Sequence, residues 1–191
     1  MDVLHLYLLA GLIAHKVFWE VMKRRQGSSR PEEGSGAPSI RLRAVKAAKM
    51  AVLAGIVVQT MIPEVLPLTS DPWTLRIAGV AIFTAGLLVA ILGRTQLGTN
   101  WSDIETAQVQ GDQGLVEKGL YGYIRHPIYV GDLALLLGLE LALNSWLVLA
   151  IIGLAPLVLR QAIREEKLLS KKLPGYDQYC GRTKRFIPYL V

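Results

Sequence analysis

The chain has 191 residues, of which 52% are hydrophobic, and its mean hydropathy is +0.37. A soluble domain seldom averages so high, so membrane spans are expected. The single cysteine excludes an internal disulfide and a zinc site built from cysteines. The formal net charge of +6 predicts cytoplasmic loops and contact with anionic membrane lipid. No basic and aromatic groove motif favours nucleic-acid binding, which is therefore not expected.

The first apolar segment, residues 3–22, is long enough for one crossing of a bilayer. His5 and His15 interrupt it, but their spacing is not a chelating one, so both are interpreted as helix-facing or interfacial side chains. The basic cluster 23–25 follows and predicts a cytoplasmic end, which places the N-terminus outside. The first two residues bring no basic charge, so no cleavable signal peptide is expected.

Two further apolar segments, 44–66 and 73–92, are predicted to span the membrane. The loop 26–39 before them is rich in Gly, Ser and Pro, which predicts a flexible cytoplasmic connection. One face of the third span carries a glycine every seven residues, at Gly79, Gly86 and Gly93. This spacing predicts close packing against another helix rather than ligand binding.

The C-terminal half alternates polar and apolar stretches. Residues 94–127 are polar and rich in turn residues, which predicts a structured cytoplasmic cap. Residues 128–143 and 146–159 are short apolar segments joined by a two-residue turn, which predicts a tight helical hairpin. Asp132 and Glu140 lie inside it, and carboxylates at that depth are expected to be buried against a partner or a site. For Asp132, near the cytoplasmic end of the hairpin, simple solvation is the alternative.

A charged helix follows the hairpin, with Arg160 and Arg164 one turn apart on one face. By composition alone it is a solvated, salt-bridged helix. The whole pattern predicts an all-α, polytopic integral membrane protein with about five crossings and a cytoplasmic C-terminus. Its single domain, residues 1–191, comprises three transmembrane helices (1–93), the cap (94–127), the hairpin (128–160) and a cytoplasmic helix and tail (161–191). The cap and the tail then share one cytoplasmic face, which predicts a ligand pocket between them.

The segment 119–131 combines three tyrosines, an arginine and a histidine at the entrance of the hairpin. Pro127 disfavours the helical conformation at His126 and suits the first turn of a new helix. Tyrosine hydroxyls and a histidine can bind a carboxylate, Glu165 can bind an ammonium or a ribose hydroxyl, and an arginine can hold an anionic acceptor. The segment therefore predicts a binding site for a charged small molecule.

Several short motifs recur in a fixed order between 97 and 188. They are Leu97-Gly-Thr-Asn-Trp-Ser102, Leu115-Val116, Gly119-Leu-Tyr121, Arg125-His-Pro-Ile-Tyr129 with Gly131, Glu165-Glu166 with Leu168-Leu169, and Tyr176-x-x-Tyr179 leading to Arg185 and Pro188. In this order they resemble the isoprenylcysteine carboxyl methyltransferase family, including its prokaryotic membrane members. Leu120 departs from the pattern, because many relatives carry proline there. The N-terminal half resembles the family only in being hydrophobic.

The resemblance implies an integral membrane methyltransferase that binds S-adenosylmethionine in a cytoplasmic pocket. The positions matching the family's cofactor contacts are Gln113, Gly114, Leu115, Val116, Tyr121, His126, Pro127, Ile128, Tyr129 and Glu165, with a weaker match at Thr106. The family arginine that faces the acceptor carboxylate matches Arg160 in an ungapped alignment, and Arg164 is the other candidate catalytic residue. The implied acceptor is an isoprenylcysteine-like, prenylated or other lipophilic carboxylate that enters from the bilayer.

Two other functions stay open on these residues. An N-methyltransferase that acts on a phospholipid or another amine would have to remove a proton from the amine, so its rate would rise with pH. A carboxylate acceptor is already ionised at neutral pH and requires no such rise. A non-catalytic membrane scaffold with the same fold would bind no cofactor at all.

Overall fold

The computed structural model describes residues 2–27, 40–62, 66–100 and 114–188. Its six helices are α1 (Val3–Gly27), α2 (Ile40–Met61), α3 (Trp73–Leu97), α4 (Pro127–Ala142), α5 (Val148–Lys172) and α6 (Tyr176–Arg182). Two short 3-10 turns, Gly98–Asn100 and Gly119–Gly122, lie between α3 and α4. Within those four ranges no β-strand occurs, and extended pairing is limited to the bridges Pro67–Ser145 and Ile124–Lys184. The predicted all-α class is confirmed.

Helices α3 and α4 pack with their backbones in contact. A methyl group added at Gly79 would overlap the backbone of Ala142, and one added at Gly86 would overlap the backbone of Leu135. On α4, methyl groups at Gly131 and Gly138 would overlap the backbones of Ala90 and Phe83. Only residues without a side chain allow this approach, and it is the close packing that the glycine spacing predicted.

Helix α1 closes the apolar core against these two helices. Gly11 of α1 lies against the ring of Phe83, which is fully buried. The core consists of Leu8, Leu12, Phe83, Leu135, Leu139, Ala142 and Leu143. Residues of α1, α3 and α4 and of the turn after α4 contribute to it.

The turn between α4 and α5 is held by hydrogen bonds to the turn between α2 and α3. Asn144, with φ of 55°, donates its amide to the carbonyl of Thr69 (2.8 Å) and accepts a bond from the Thr69 amide (3.2 Å). Glu140 accepts a hydrogen bond of 2.7 Å from Gln59 of α2. Asp132 pairs with His15 at 3.0 Å. Each carboxylate of the predicted hairpin therefore meets a partner on another helix. Glu140 is buried, as expected, whereas the side chain of Asp132 stays 39% exposed.

Two helices are long and apolar enough to cross a membrane, Val3–Arg25 and Trp73–Leu97. Large apolar side chains on α1, α3 and α5 remain exposed, among them Leu6, Leu88 and Ile152. Such exposure is expected where lipid rather than water surrounds a helix. The count of five crossings and the orientation of the termini stay predictions.

The helix ends differ from the sequence-based boundaries. Helix α3 continues to Leu97, past the expected end at 92, and buries Arg94 completely. The Arg94 guanidinium donates to the carbonyl of Gly98 at 2.9 Å, which satisfies part of the charged group at the helix end. Helix α5 runs unbroken across the expected boundary at 160. The loop 28–39 and the part of the cap at 101–113 lie outside the described residues.

The contact between α3 and α4 is tested by Gly86→Ala, with Gly153→Ala as control. We expect the first variant to lose about 1–3 kcal/mol of stability, because the added methyl group meets the backbone of Leu135. Gly153 has open space around it, so the control should be as stable as the wild type or slightly more stable. The measurement is thermal unfolding in detergent. Equal unfolding temperatures for the two variants would contradict the packing described above.

Candidate functional site

A tight turn carries the chain from the cap to α4. Gly119 has φ of 64°, a left-handed conformation that favours glycine. The backbone amide of Leu120 donates to the side-chain oxygen of Gln96 on α3 at 2.8 Å. The 3-10 turn Gly119–Gly122 then buries Tyr121, whose carbonyl accepts a bond of 2.7 Å from the hydroxyl of Tyr179. This turn fixes Tyr121 between the end of α3 and helix α6.

The C-terminal tail pairs with the chain just before α4. The backbone amide of Arg125 donates to the carbonyl of Lys184 (2.8 Å), and that of His126 donates to Arg185 (3.2 Å). His126 has φ of −125° and Pro127 begins α4, which is the arrangement predicted from the proline. The pairing places the His126 side chain between α4, α5 and the tail.

Glu166 on α5 is the charged centre of this arrangement. It accepts hydrogen bonds from Arg125 (2.8 Å), from Arg185 (2.7 Å at the shortest) and from a ring nitrogen of His126 (3.2 Å). Burial alone would raise the pKa of Glu166, but these donors outweigh burial and hold the pKa well below its ordinary value. Arg125 also donates to the carbonyls of Cys180 and Thr183. Glu166 therefore fastens α5, α6 and the tail to the start of α4.

The neighbouring Glu165 has a different environment. It accepts a hydrogen bond of 3.0 Å from the hydroxyl of Tyr129, and its other described neighbour is a ring nitrogen of His126 at 3.7 Å. Burial raises its pKa, and the negative charge of Glu166 adds to this effect. The His126 ring stacks on the Tyr129 ring with centroids 5.3 Å apart. A cationic group from a ligand would therefore find a poorly compensated carboxylate here.

These elements enclose a cleft with about 810 Å³ of space free of protein atoms, measured out to its open mouth. It is lined by Leu97, Asn100, Gly114, Leu115, Val116, Tyr121, Arg125, His126, Ile128, Tyr129, Glu165, Leu169, Leu173, Tyr176 and Tyr179. The side-chain oxygen of Asn100 accepts a bond of 2.8 Å from the amide of Gly114 at the rim. Aromatic and aliphatic walls with a few polar groups are typical of small-molecule sites.

The cleft brings together most of the residues predicted to bind a cofactor, namely Gly114, Leu115, Val116, Tyr121, His126, Ile128, Tyr129 and Glu165. Pro127 is buried against Gly93 and does not line the cleft. Gln113 and Thr106 lie outside the described residues. The prediction did not include Leu97, Asn100, Arg125, Leu169, Leu173, Tyr176 and Tyr179. All of these except Leu173 belong to the motifs and could have been included, whereas no sequence signal marked Leu173.

Arg160 and Arg164 are exposed and do not line the cleft. Helix geometry explains their position, because a residue shares a face with those three and four positions away. The residues that precede Glu165 on its own face are therefore Gln161 and Ala162, and Ala162 is fully buried. The two arginines lie to either side of that face.

A family model described as phospholipid methyltransferase matches residues 74–174, just over half of the chain. Among solved structures, the chain is similar to the eukaryotic intramembrane Ras methyltransferase ICMT (isoprenylcysteine carboxyl methyltransferase), with a TM-score of 0.53 and 21% sequence identity. That similarity covers 81% of this chain and 55% of the other chain. At 21% sequence identity, this similarity shows that the two chains share a fold.

Three known proteins show higher sequence identity over shorter stretches. The nickel-cobalt-cadmium resistance protein NccN of Alcaligenes xylosoxydans xylosoxydans is 34% identical over 113 residues, which cover 57% of this chain and 53% of that protein. The cobalt-zinc-cadmium resistance protein CzcN of Cupriavidus metallidurans is 36% identical over 78 residues, or 40% and 36% of the two chains. The Delta(14)-sterol reductase TM7SF2 of Mus musculus is 35% identical over 94 residues, which cover 46% of this chain and 22% of that protein. The chain thus matches about half or less of each relative's length.

The two adjacent glutamates provide a test of the site's electrostatics. Glu166→Gln should cost about 3–5 kcal/mol at neutral pH, because it leaves Arg125 and Arg185 beside a neutral group. The lowered pKa of Glu166 means that its stabilising effect is complete above its unfolded-state pKa of 4.5 and is lost as the pH falls below that value. The unfolding temperature of the wild type should therefore drop on acidification, and that of Glu166→Gln should drop less.

Glu165→Gln is the matched control for this experiment. In the wild type, the pKa of Glu165 is raised in the folded state, so its ionised form opposes folding at any pH above its unfolded-state pKa. The variant should therefore be at least as stable as the wild type at pH 7. If both substitutions lowered the unfolding temperature equally, the contrast between the two carboxylates would be wrong.

Proposed function

We propose that this chain, which belongs to the phospholipid methyltransferase family, transfers a methyl group from S-adenosylmethionine to a lipophilic acceptor in a membrane. Family membership and two apolar helices of spanning length indicate an integral membrane protein. The observation that carries the proposal is Glu165, a partly buried carboxylate with few donors at the wall of an aromatic cleft.

The cleft fits the chemistry of the methyl donor. S-adenosylmethionine combines a sulfonium, an ammonium, a carboxylate and an aromatic base. Glu165 can accept hydrogen bonds from the ammonium or from a ribose hydroxyl, which would also lower its raised pKa. The rings of Tyr121, Tyr129 and Tyr176 offer faces for a cation or an adenine, and Leu115 and Val116 line the rim.

Within this proposal, the residues of the chain align and shield rather than react. His126 is held by Glu166, and Tyr129 is held by Glu165 and by stacking on His126, so both side chains are fixed before a ligand binds. Alignment of the acceptor, the methyl group and the sulfur supplies most of what a displacement reaction needs. The apolar walls at Ile128, Leu169 and Leu173 would exclude water from the reacting atoms.

A lipophilic carboxylate, such as an isoprenylcysteine, is the first candidate acceptor. A carboxylate is ionised at pH 7 and needs no base. Arg160 and Arg164 are the cations proposed to hold it, from the exposed flanks of α5 beside the face of Glu165. This candidate rests on the motif resemblance and on the fold shared with an isoprenylcysteine carboxyl methyltransferase.

An amine of a phospholipid headgroup is the second candidate acceptor. It is favoured by the description of the matching family model and by the position of the two arginines outside the cleft. The two candidates differ in product chemistry, because a methyl ester is released by base and an N-methyl group is not. Purified protein incubated with radiolabelled donor and both acceptor classes would show which product forms.

Glu165→Gln tests donor binding directly. Calorimetric titration of the purified protein with S-adenosylhomocysteine should show binding about 10- to 100-fold weaker than in the wild type, since a charged hydrogen bond is worth about 1.5–3 kcal/mol. Glu20→Gln, which removes an exposed carboxylate on α1, should bind as the wild type does. If the wild type shows no binding, the non-catalytic scaffold is the better description.

Arg160→Gln and Arg164→Gln test the carboxylate candidate. With a prenylcysteine acceptor, we expect kcat/KM to fall by about 10-fold or more for the variant whose arginine holds the carboxylate. Binding of S-adenosylhomocysteine should be unchanged in both. Lys171→Gln on the same helix is the control for a general loss of positive charge. Unchanged rates for both arginine variants would exclude their proposed role.

A further inference from the structure

A histidine and an aspartate from different helices form a pair outside the cleft. His15 on α1 and Asp132 on α4 are 3.0 Å apart, between the Nε2 ring nitrogen and a carboxylate oxygen. Trp19, one turn further along α1, stacks on the His15 ring at 4.4 Å. The side chains of His15 and Asp132 are 23% and 39% exposed, so a molecule beside the bundle can reach them.

Asp132 lies one helical turn from the cleft. Asp132 follows Gly131, which contacts Ala90 of α3, and the next contact toward the cleft joins Gly93 to Ile128. Asp132 is three residues after Tyr129 and four after Ile128, so the three share one face of α4 and are separated by about 4.5–6 Å along its axis. Ile128 and Tyr129 line the cleft.

The groups around the pair are mostly apolar. On α1, His15 is one turn beyond Gly11, which packs on Phe83 and Leu87 of α3. The titratable groups next to the pair are Tyr129, one turn before Asp132 on α4, and Lys16, which follows His15 on α1. A histidine paired with an aspartate on another helix, with both side chains accessible from beside the bundle, is suited to moving a proton.

We infer that His15 is the base that removes a proton from an N–H, O–H or S–H acceptor, and that Asp132 orients its ring beside the methyl-donor cleft. The inference rests on the proposed function, because it assigns a residue to the acceptor side of the same reaction. It also names the acceptor class, a lipid whose nucleophilic atom carries a proton at neutral pH.

The proton and electron balance is simple. In the tautomer that donates Nε2–H to Asp132, the Nδ1 atom of His15 holds the lone pair that takes the acceptor proton. The acceptor atom then uses its freed electron pair to form the new bond to the methyl group. The electrons of the broken sulfur–carbon bond stay on sulfur, which becomes a neutral thioether. His15 afterwards releases its proton to solvent through its exposed edge.

The experiment compares His15→Gln and Asp132→Asn with His5→Gln. His5 is the matched control, because it lies on the same helix and also pairs with an aspartate, Asp2, at 2.6 Å. Purified protein in detergent receives radiolabelled S-adenosylmethionine and one of four acceptors: a short-chain phosphatidylethanolamine, a long-chain phenol, a long-chain thiol or a prenylcysteine. Calorimetry with S-adenosylhomocysteine, and with the phosphatidylethanolamine alone, reports binding without turnover.

The wild type should methylate at least one of the three proton-bearing acceptors. For that acceptor, His15→Gln should lower kcat about 100-fold, within the range known for general bases, and remove the acid limb of the pH–rate profile. Asp132→Asn should lower kcat about 10-fold. KM and both binding titrations should stay within about threefold of the wild type, and His5→Gln should match the wild type throughout.

Two results would overturn the inference while leaving the proposed function in place. One is transfer only to prenylcysteine, with normal binding of S-adenosylhomocysteine. The other is a parallel loss of kcat, ligand binding and unfolding temperature in His15→Gln, which would mark the pair as a structural link between α1 and α4. Absence of S-adenosylhomocysteine binding in the wild type would remove the proposed function and the inference together.

Discussion

The contact between the backbones of α3 and α4 determines where everything else in this protein lies. Glycines on both helices let the chains approach until peptide groups touch, and the register of these contacts is fixed along the whole interface. Because the helices are antiparallel, the end of α3 at Leu97 and the start of α4 at Pro127 meet at one end. The cleft forms at that end, from the residues that leave α3 and those that enter α4.

Of two adjacent glutamates on α5, one stabilises the fold and the other faces the cleft. Glu166 is surrounded by donors and keeps its charge, so it can hold the tail and α6 in place. Glu165 is turned toward the cleft and has fewer donors, so its charge is costly in the free protein. A cationic ligand would relieve that cost. One carboxylate thus keeps the site rigid, and its neighbour is available to a cationic ligand. This combination suits the proposed methyl donor, which must be held in a single orientation.

The charged groups proposed to meet an acceptor lie outside the cleft. The arginines expected to meet an acceptor carboxylate lie on the flanks of α5, whereas Gln161 and Ala162 occupy the face next to Glu165. Outside the cleft, α1 supplies His15 to Asp132. The N-terminal half, which resembles the family only in being hydrophobic, thus contributes one member of a titratable pair.

The sequence by itself determined the helical class, the family resemblance and most of the cleft. Composition and the lengths of the apolar segments indicate helices. The motifs around 119–131 predict the local backbone conformation at Gly119 and Pro127, because that conformation depends mainly on neighbouring residues. The family membership inferred from those motifs is confirmed by the match over 74–174. Only the tertiary structure decided that Leu173 lines the cleft, that the two arginines do not, and that His15 meets Asp132 across 117 positions of sequence. Those facts depend on how whole helices rotate and approach each other, and a short sequence pattern does not encode the rotation of a helix relative to a distant partner.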